Sequence, residues 1–410
     1  MDTFKYVIIG GGAAGVTAAE EIRKIDIDGS IALVCDEPYV LYSRVMLSKP
    51  NFFLGKVPFE QVWLRKEDWF KKNKVTFLKN KTATHIDSAN KILSLLDGTK
   101  VKYDKLLLAT GVSVRRLTVP GADKKGIHYL RTIDDGKAIM QHIKNAKNAV
   151  VVGGGFIGFE MADLFKLAGL NTTMIIREQH FWSPTLDGVS GQMIEDALTK
   201  NGVHLIKNNE IAEIKGIDFV ESIVLKDGTE IPCDLLMCGI GVVNNTKWIA
   251  ESGITVNKGI VTDEYLQTSA SDIWSAGDIA EYKDILLEEN VIMGNWVNAV
   301  EQGRVAGRNM TGAHDPFKFV SFYTTQGFGI SIAFVGDVAY GANRVVLPRG
   351  SKEINSYSQV VMVGDELVGA TMINRTGELT TFSKIIKNNI KVADKHSSLS
   401  DPNFDLKTLV

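Results

Sequence analysis

The stretch VIIGGGAAGVTAAEEI puts glycines at positions 10, 12 and 15, and VVVGGGFIGFEMADLF puts them at 153, 155 and 158. Each set follows a short apolar run and opens a run rich in small and apolar residues. This spacing suits one task, the holding of a pyrophosphate. The first glycine (Gly10, Gly153) makes a tight turn, the second (Gly12, Gly155) lets backbone approach the phosphates, and the third (Gly15, Gly158) lets a helix pack close to a strand. Ala13 and Ala14 in the first copy, and Phe156 and Ile157 in the second, begin the helix whose N–H groups face the phosphates. The copies align residue for residue at an offset of 143. One such fingerprint is weak evidence, but two in the same strand–turn–helix context predict two dinucleotide sites.

A carboxylate at the end of the next strand, roughly 20 residues on, accepts the adenosine ribose hydroxyls in such units. The first copy supplies Asp36 and Glu37, with Glu37 lying 22 residues after Gly15. In the second copy the position where the acid is expected holds Ile176, and Arg177 follows. A guanidinium is planar, always charged and able to bind a phosphate bidentately. Arg177 therefore tilts the second site toward NADPH, while Glu178 pulls the other way. Ala109, Thr110 and Gly111 end one apolar strand, and Gly239 and Gly241 end another; each run closes a nucleotide-binding unit. Gly277 and Asp278 follow a third strand, just before an expected helix, where an acid suits a polyol chain. Asn295 to Gly312 reads as a helix with a glycine stop.

These residues need a scaffold, and the bulk properties allow one. At 410 residues the chain suits two or three domains, with 45% hydrophobic and 23% charged residues. The net charge of −2 gives no electrostatic case for nucleic acid. No apolar run reaches the roughly 18 residues of a membrane span. The three cysteines, Cys35, Cys233 and Cys238, form no short CxxC pair. That predicts no structural disulfide, no metal site and a cytoplasmic location. Cys233 and Cys238 flank one strand at odd spacing, which predicts side chains on opposite faces.

With its GGGAAG, LYSRVMLSK, ATG, GGGFIGFE, SAGD and WVNAVEQGR motifs, the whole chain resembles the flavoprotein reductases with two dinucleotide-binding domains. Within them it is similar to the rubredoxin and ferredoxin reductase group, which includes NADH oxidases and the flavin module of nitrite reductases. The resemblance implies an α/β fold with two Rossmann-like domains, the NAD(P)H domain inserted in the FAD domain, plus a C-terminal α+β domain. It divides the chain into 1–112 and 242–318 for FAD, 113–241 for NAD(P)H, and 319–410 for a C-terminal domain that makes a dimer interface and covers the flavin. It implies that Gly10, Gly12, Gly15 and Glu37 bind the FAD pyrophosphate and ribose, that Asp278 holds the ribitol, and that Arg44, Trp296, Ala299, Phe322 and Tyr323 lie near the flavin ring. It also pairs Lys49, near the flavin, with Glu160. A lysine there polarises the ring that receives a hydride, and a mobile glutamate balances its charge.

Relatives that reduce disulfides carry a CxxxxC pair after the first unit, and some oxidases carry one cysteine near the position of Ser43. Neither is present, so the resemblance implies that electrons leave the flavin directly. A small carrier such as rubredoxin or ferredoxin is the first acceptor to consider, and dioxygen the second. A slow redox-sensing flavoprotein is a third reading, although the C-terminal domain lacks the long insertion that would favour it. An acidic carrier would need a basic face, for which the lysines at 71, 72, 74, 79 and 81 are candidates. The final stretch SSLSDPNFDLKTLV, polar with a few apolar anchors, either docks a neighbour or trails over the surface.

Overall fold

The structure, a computed structural model, describes residues 1–339, 341 and 343–410. Two compact units emerge, each built from separated segments: residues 1–43, 60–113 and 243–321 form the first, and residues 44–59, 114–242 and 322–410 the second.

The first unit is built on a seven-stranded sheet. Strands Val75–Leu78, Ile31–Val34, Asp2–Ile9 and Lys100–Leu108 run parallel in that order. On the edge away from Asp2–Ile9, the long strand Lys100–Leu108 serves two partners. Its first half pairs antiparallel with Ile92–Leu95, and its second half pairs parallel with Ile273–Ser275. Tyr6-Val7-Ile8-Ile9 is buried on both faces, as a central parallel strand requires. Helices Ala13–Ile25 and Trp296–Met310 pack at backbone contact, because a Cβ on Gly303 would lie 2.3 Å from the Ala14 carbonyl oxygen and one on Gly307 2.8 Å from that of Ala18. The stretch after Asp278 is not a helix. Ala280–Asp284 is a strand between Ile260–Thr262 and Glu289–Val291. Pairing on both sides satisfies its backbone, and that outweighs helix propensity.

The second unit holds a five-stranded parallel sheet in the order His204–Ile206, Asn171–Ile175, Asn148–Val152, Leu235–Cys238, Ile127–His128. A separate five-stranded antiparallel sheet follows in the order Phe322–Gly327, Ile330–Gly336, Glu366–Ile373, Ser356–Val363, Arg344–Ser351, with helix Leu379–Lys387 packed on it. Cys233 and Cys238 do not diverge as strand alternation predicts, since both lie in one apolar cluster with Val150 and Leu236. Cys233 precedes the strand and gives its N–H to the Glu221 carbonyl, so the alternation never reaches it.

The C-terminal stretch folds back onto its own unit, with Leu399 and Leu406 buried. The anchor is Arg349, whose side chain is 1% exposed. Its Nη2 donates to Glu378 Oε1 at 2.8 Å and to the Phe404 carbonyl at 2.8 Å. Its Nη1 donates to the carbonyls of Leu399 and Asp401. Arg349→Met should therefore cost about 3 kcal/mol in urea unfolding, because it strands those carbonyls and weakens a buried ion pair. Amide exchange across residues 396–410 should rise selectively.

Candidate functional site

In the first unit the three glycines of the first fingerprint divide by what surrounds them. Gly10 has φ +118°, and a Cβ there would lie 2.0 Å from the Ala109 carbonyl oxygen. A Cβ on Gly15 would lie 2.0 Å from the Gly10 carbonyl oxygen. The protein itself therefore requires both glycines. Gly12 differs, with no atom of the other described residues, its chain neighbours aside, within 4 Å of its Cβ position. It is the N-cap of helix Ala13–Ile25, in extended conformation and with no side-chain cap. Gly12 keeps the approach to uncapped helix N–H groups open, the arrangement that suits an anion.

Around that helix start stand most of the residues expected to hold FAD. Ala13, Ala14, Ala109 and Ala299 are buried, Gly111 and Gly277 have positive φ, and Thr110 is exposed. Asp278 is half-buried, 3.8 Å from the Cβ position of Gly294. Trp296 is half-buried against the core that includes Ala299. Glu37 is half-buried and accepts from the Tyr42 hydroxyl at 2.6 Å, which orients its carboxylate, whereas Asp36 is exposed. The open space at Gly12, the uncapped helix and an oriented acid fit an FAD pyrophosphate and ribose.

The second unit repeats the device. Gly153 has φ +103° with its Cβ position 2.3 Å from the Gly239 carbonyl oxygen, and the Cβ position of Gly158 lies 2.0 Å from the Gly153 carbonyl oxygen. Gly155, the uncapped N-cap of helix Phe156–Leu167, has nothing within 4 Å. Gly241 has φ +98°. Ile157 is half-buried in the helix's first turn. These residues fit a second dinucleotide.

Strand register revises the reading of Arg177. Gly10 N–H bonds the Val34 carbonyl, and Gly153 N–H bonds the Ile175 carbonyl. The Cβ position of Gly11 meets Cys35, and that of Gly154 meets Ile176. Ile176 is thus the counterpart of Cys35, Arg177 of Asp36, and Glu178 of Glu37. The acid stands two positions beyond Ile176: the helix–strand connection is two residues shorter in the second unit, so Glu178 lies 20 residues after Gly158 where Glu37 lies 22 after Gly15. Arg177 is 74% exposed, and its Nε donates to Glu178 at 2.8 Å.

Arg44, Lys49 and Tyr323, expected beside the flavin, belong to the second unit. There Lys49 Nζ donates to Glu160 Oε1 at 2.5 Å. Glu160 is 2% exposed. Two hydroxyls that sequence reasoning missed complete its shell. Thr325 Oγ1 donates to Oε1 at 2.6 Å, and Ser48 Oγ donates to Oε2. Ser48 adjoins Lys49 and was a visible neighbour, but Thr325 lies 165 residues from Glu160 and left no local signal. Arg44 Nη1 donates to the Arg131 carbonyl at 2.8 Å. Tyr323 packs on Phe156, with ring centroids 3.7 Å apart, and Trp182 and Phe334 flank Phe156. Burial, aided by the Glu160 charge, raises the Tyr323 phenol well above its usual range, so it stays protonated.

All three cysteines are buried and unpaired. Burial pushes Cys233 and Cys238 up to about 12 and raises Cys35 as well, so none presents a reactive thiolate. Ser43 is buried too. Among the described residues no cluster of metal-binding side chains occurs, and no helix is long and apolar enough to cross a membrane. The lysine run is less basic than its composition predicts, because Lys74, Lys79 and Lys81 pair with Asp28, Glu67 and Asp97.

Two family models match the chain: pyridine nucleotide-disulphide oxidoreductase over residues 4–303 and reductase C-terminal over residues 322–410. Among curated proteins, the rhodocoxin reductase of Rhodococcus erythropolis is 32% identical over 406 residues, spanning 98% of this chain and 94% of that protein. Among solved structures, the ferredoxin reductase for the CYP199A2 system of Rhodopseudomonas palustris covers 100% of this chain and 99% of its own at 29% identity, with a TM-score of 0.91. The reductase in the covalent putidaredoxin reductase–putidaredoxin complex covers 100% and 98% at 27% identity, with a TM-score of 0.93.

Proposed function

We propose that this chain, which belongs to the pyridine nucleotide-disulphide oxidoreductase family, is an NAD(P)H-dependent reductase of a small electron-carrier protein. FAD, when bound, supplies the centre that accepts a hydride from the nicotinamide and passes electrons onward. The observation that carries the reading is a pair of uncapped glycine cradles in a chain whose thiols are all buried. The cradles imply two dinucleotides. The buried thiols leave no protein group to relay electrons through a disulfide. Similarity to the rhodocoxin and putidaredoxin reductases supports a carrier protein as acceptor.

Each set of residues has its task. Gly12 and the Ala13–Ala14 turn hold the FAD pyrophosphate, Glu37 its ribose and Asp278 its ribitol, while Trp296 and Ala299 border the ring. Gly155 and the Phe156–Ile157 turn hold the second pyrophosphate. Lys49 is held by Glu160, which Ser48 and Thr325 keep in place. The unpaired thiols suit a reducing cytoplasm.

The test is an anaerobic titration of the purified protein with NADH, followed by addition of rubredoxin, ferredoxin or air. Rapid bleaching of the flavin band and faster reoxidation by a carrier than by air would support the reading. Preferential reoxidation by air would make the protein an oxidase. Bleaching over minutes would make it a sensor.

The register of Glu178 carries a finer proposal, that NADH is preferred over NADPH. Glu178 stands where Glu37 stands in the first unit, placed to accept both ribose hydroxyls and to repel a 2′-phosphate. This reverses the tilt suggested by Ile176 and Arg177. Glu178→Ala should lower kcat/KM for NADH about tenfold, the loss of a charged hydrogen bond, and should raise or spare that for NADPH. Equal losses with both nucleotides would remove Glu178 from ribose recognition.

A further inference from the structure

The WVNAVEQGR helix contains a buried amide with no role so far. Gln302 is 0% exposed. Its Oε1 accepts the Gly277 N–H at 2.6 Å. Its Nε2 has no partner among the described residues. A buried amide that uses only one of its two functions is costly, so the bond it does make should matter.

That bond falls at a vulnerable point in the backbone. The strand Ile273–Ser275 ends just before Gly277, so no sheet partner holds that N–H. Gly277 has φ +85°, and a Cβ there would lie 3.2 Å from the Ala14 Cβ and 3.8 Å from the Ala299 Cβ. It therefore sits against the first turns of helices Ala13–Ile25 and Trp296–Met310. Its own carbonyl accepts from Ala280 N–H at 3.0 Å, closing the turn that presents Asp278. A glycine with positive φ has wide conformational freedom, and the peptide before it can rotate unless something restrains it. Gln302 supplies the restraint from a rigid helix, whose next residue, Gly303, is pressed against the Ala14 carbonyl.

We propose that Gln302 is a positioning residue for FAD: its side-chain carbonyl pins the Gly277 N–H and holds the Gly277–Asp278 turn in the shape that receives the cofactor. The proposal rests on the assignment of FAD to this cradle. Gln302 acts through the peptide it restrains.

The test compares wild type, Gln302→Met and Gln302→Glu after FAD has been stripped. FAD affinity is read by flavin fluorescence titration, and the melting temperature of the FAD-free protein is measured alongside. Met matches the length of Gln but cannot accept the bond, so FAD should bind about tenfold more weakly, the value of one such hydrogen bond, with the FAD-free melting temperature nearly unchanged. Glu keeps an acceptor and should recover most of the affinity. Equal affinity for Gln302→Met and wild type would overturn the proposal, as would equal loss in the Met and Glu variants. A fall in FAD-free melting temperature that accounts for the weaker binding would also overturn it, making Gln302 part of general packing. If wild type itself takes up no FAD, the assignment of the cradle fails instead.

Discussion

Lys49→Ala should slow the reduction of bound flavin by NADH about a hundredfold in anaerobic stopped-flow, and adding Glu160→Gln should slow it little further. The reasoning starts from the carboxylate. Glu160 is almost fully buried, and its oxygens receive one ammonium and two hydroxyls. Removing Lys49 leaves that charge with hydroxyl donors only, and stranding one partner of a buried ion pair is costly. The carboxylate should then lose its fixed place beside Lys49's position, which disables the pair. Removing the Glu160 charge releases Lys49, whose side chain is 39% exposed and otherwise free to swing into water. Each single change should therefore disable the pair as a whole. Residues that act as a unit are non-additive, so the double variant should match the worse single. A product near ten-thousandfold would mean independent action and would end the case for a coupled pair. Thr325→Val should give a smaller loss, about fivefold, with Thr325→Ser restoring the rate.

The second large effect separates glycines that serve the fold from glycines that serve the ligand. Gly12→Val should raise the FAD dissociation constant by at least about a hundredfold while leaving the melting temperature of the FAD-free protein almost unchanged. The Gly12 backbone is extended, with φ −82°, a conformation that valine adopts readily, and among the described residues nothing beyond its chain neighbours lies within 4 Å of its Cβ position. The added side chain meets only the space assigned to the pyrophosphate. Gly15→Val should behave oppositely. Its Cβ would lie 2.0 Å from the Gly10 carbonyl oxygen, so helix and strand must separate. Loss of soluble folded protein is the expected result. In the second unit, Gly155→Val should retain FAD yet fail to be reduced by NADH, and Gly158→Val should unfold that domain. Stoichiometric FAD on purified Gly12→Val would show that the cofactor lies elsewhere.

Much of the candidate site was legible from the sequence because its controlling physics is local. A positive φ at Gly10, a helix start at Gly12 and close helix–strand contact at Gly15 are demands made within six residues. They leave the same spacing wherever they occur, and they did so twice. The apolar runs before each fingerprint marked strands buried on both faces, and the absence of a CxxxxC pair after the first unit was plain from the positions of the three cysteines. The resemblance placed Lys49 with Glu160, and the structure brings the two together across 111 residues.

Other features depended on contacts that no local pattern records. The acid of the second unit was expected at Ile176, and only the backbone bond from Gly153 to Ile175 makes Glu178 the counterpart of Glu37. Loop length can change without altering register, so a count through a loop is a poor ruler. The lysine run seemed basic, but acids distant in sequence reach three of its members. The segment after Asp278 became a strand because two other strands were there to pair with it. Thr325 reaches Glu160, Gln302 reaches Gly277, and Arg349 gathers the C-terminal carbonyls, each through a side chain whose partner is chosen by packing. The sequence by itself determined where two dinucleotide cradles form, since a tight turn, a helix start and the close approach of the third glycine to the first are demands made within six residues. The tertiary structure decided which buried polar groups orient and restrain them, since such groups are satisfied by whatever the fold brings within hydrogen-bonding distance.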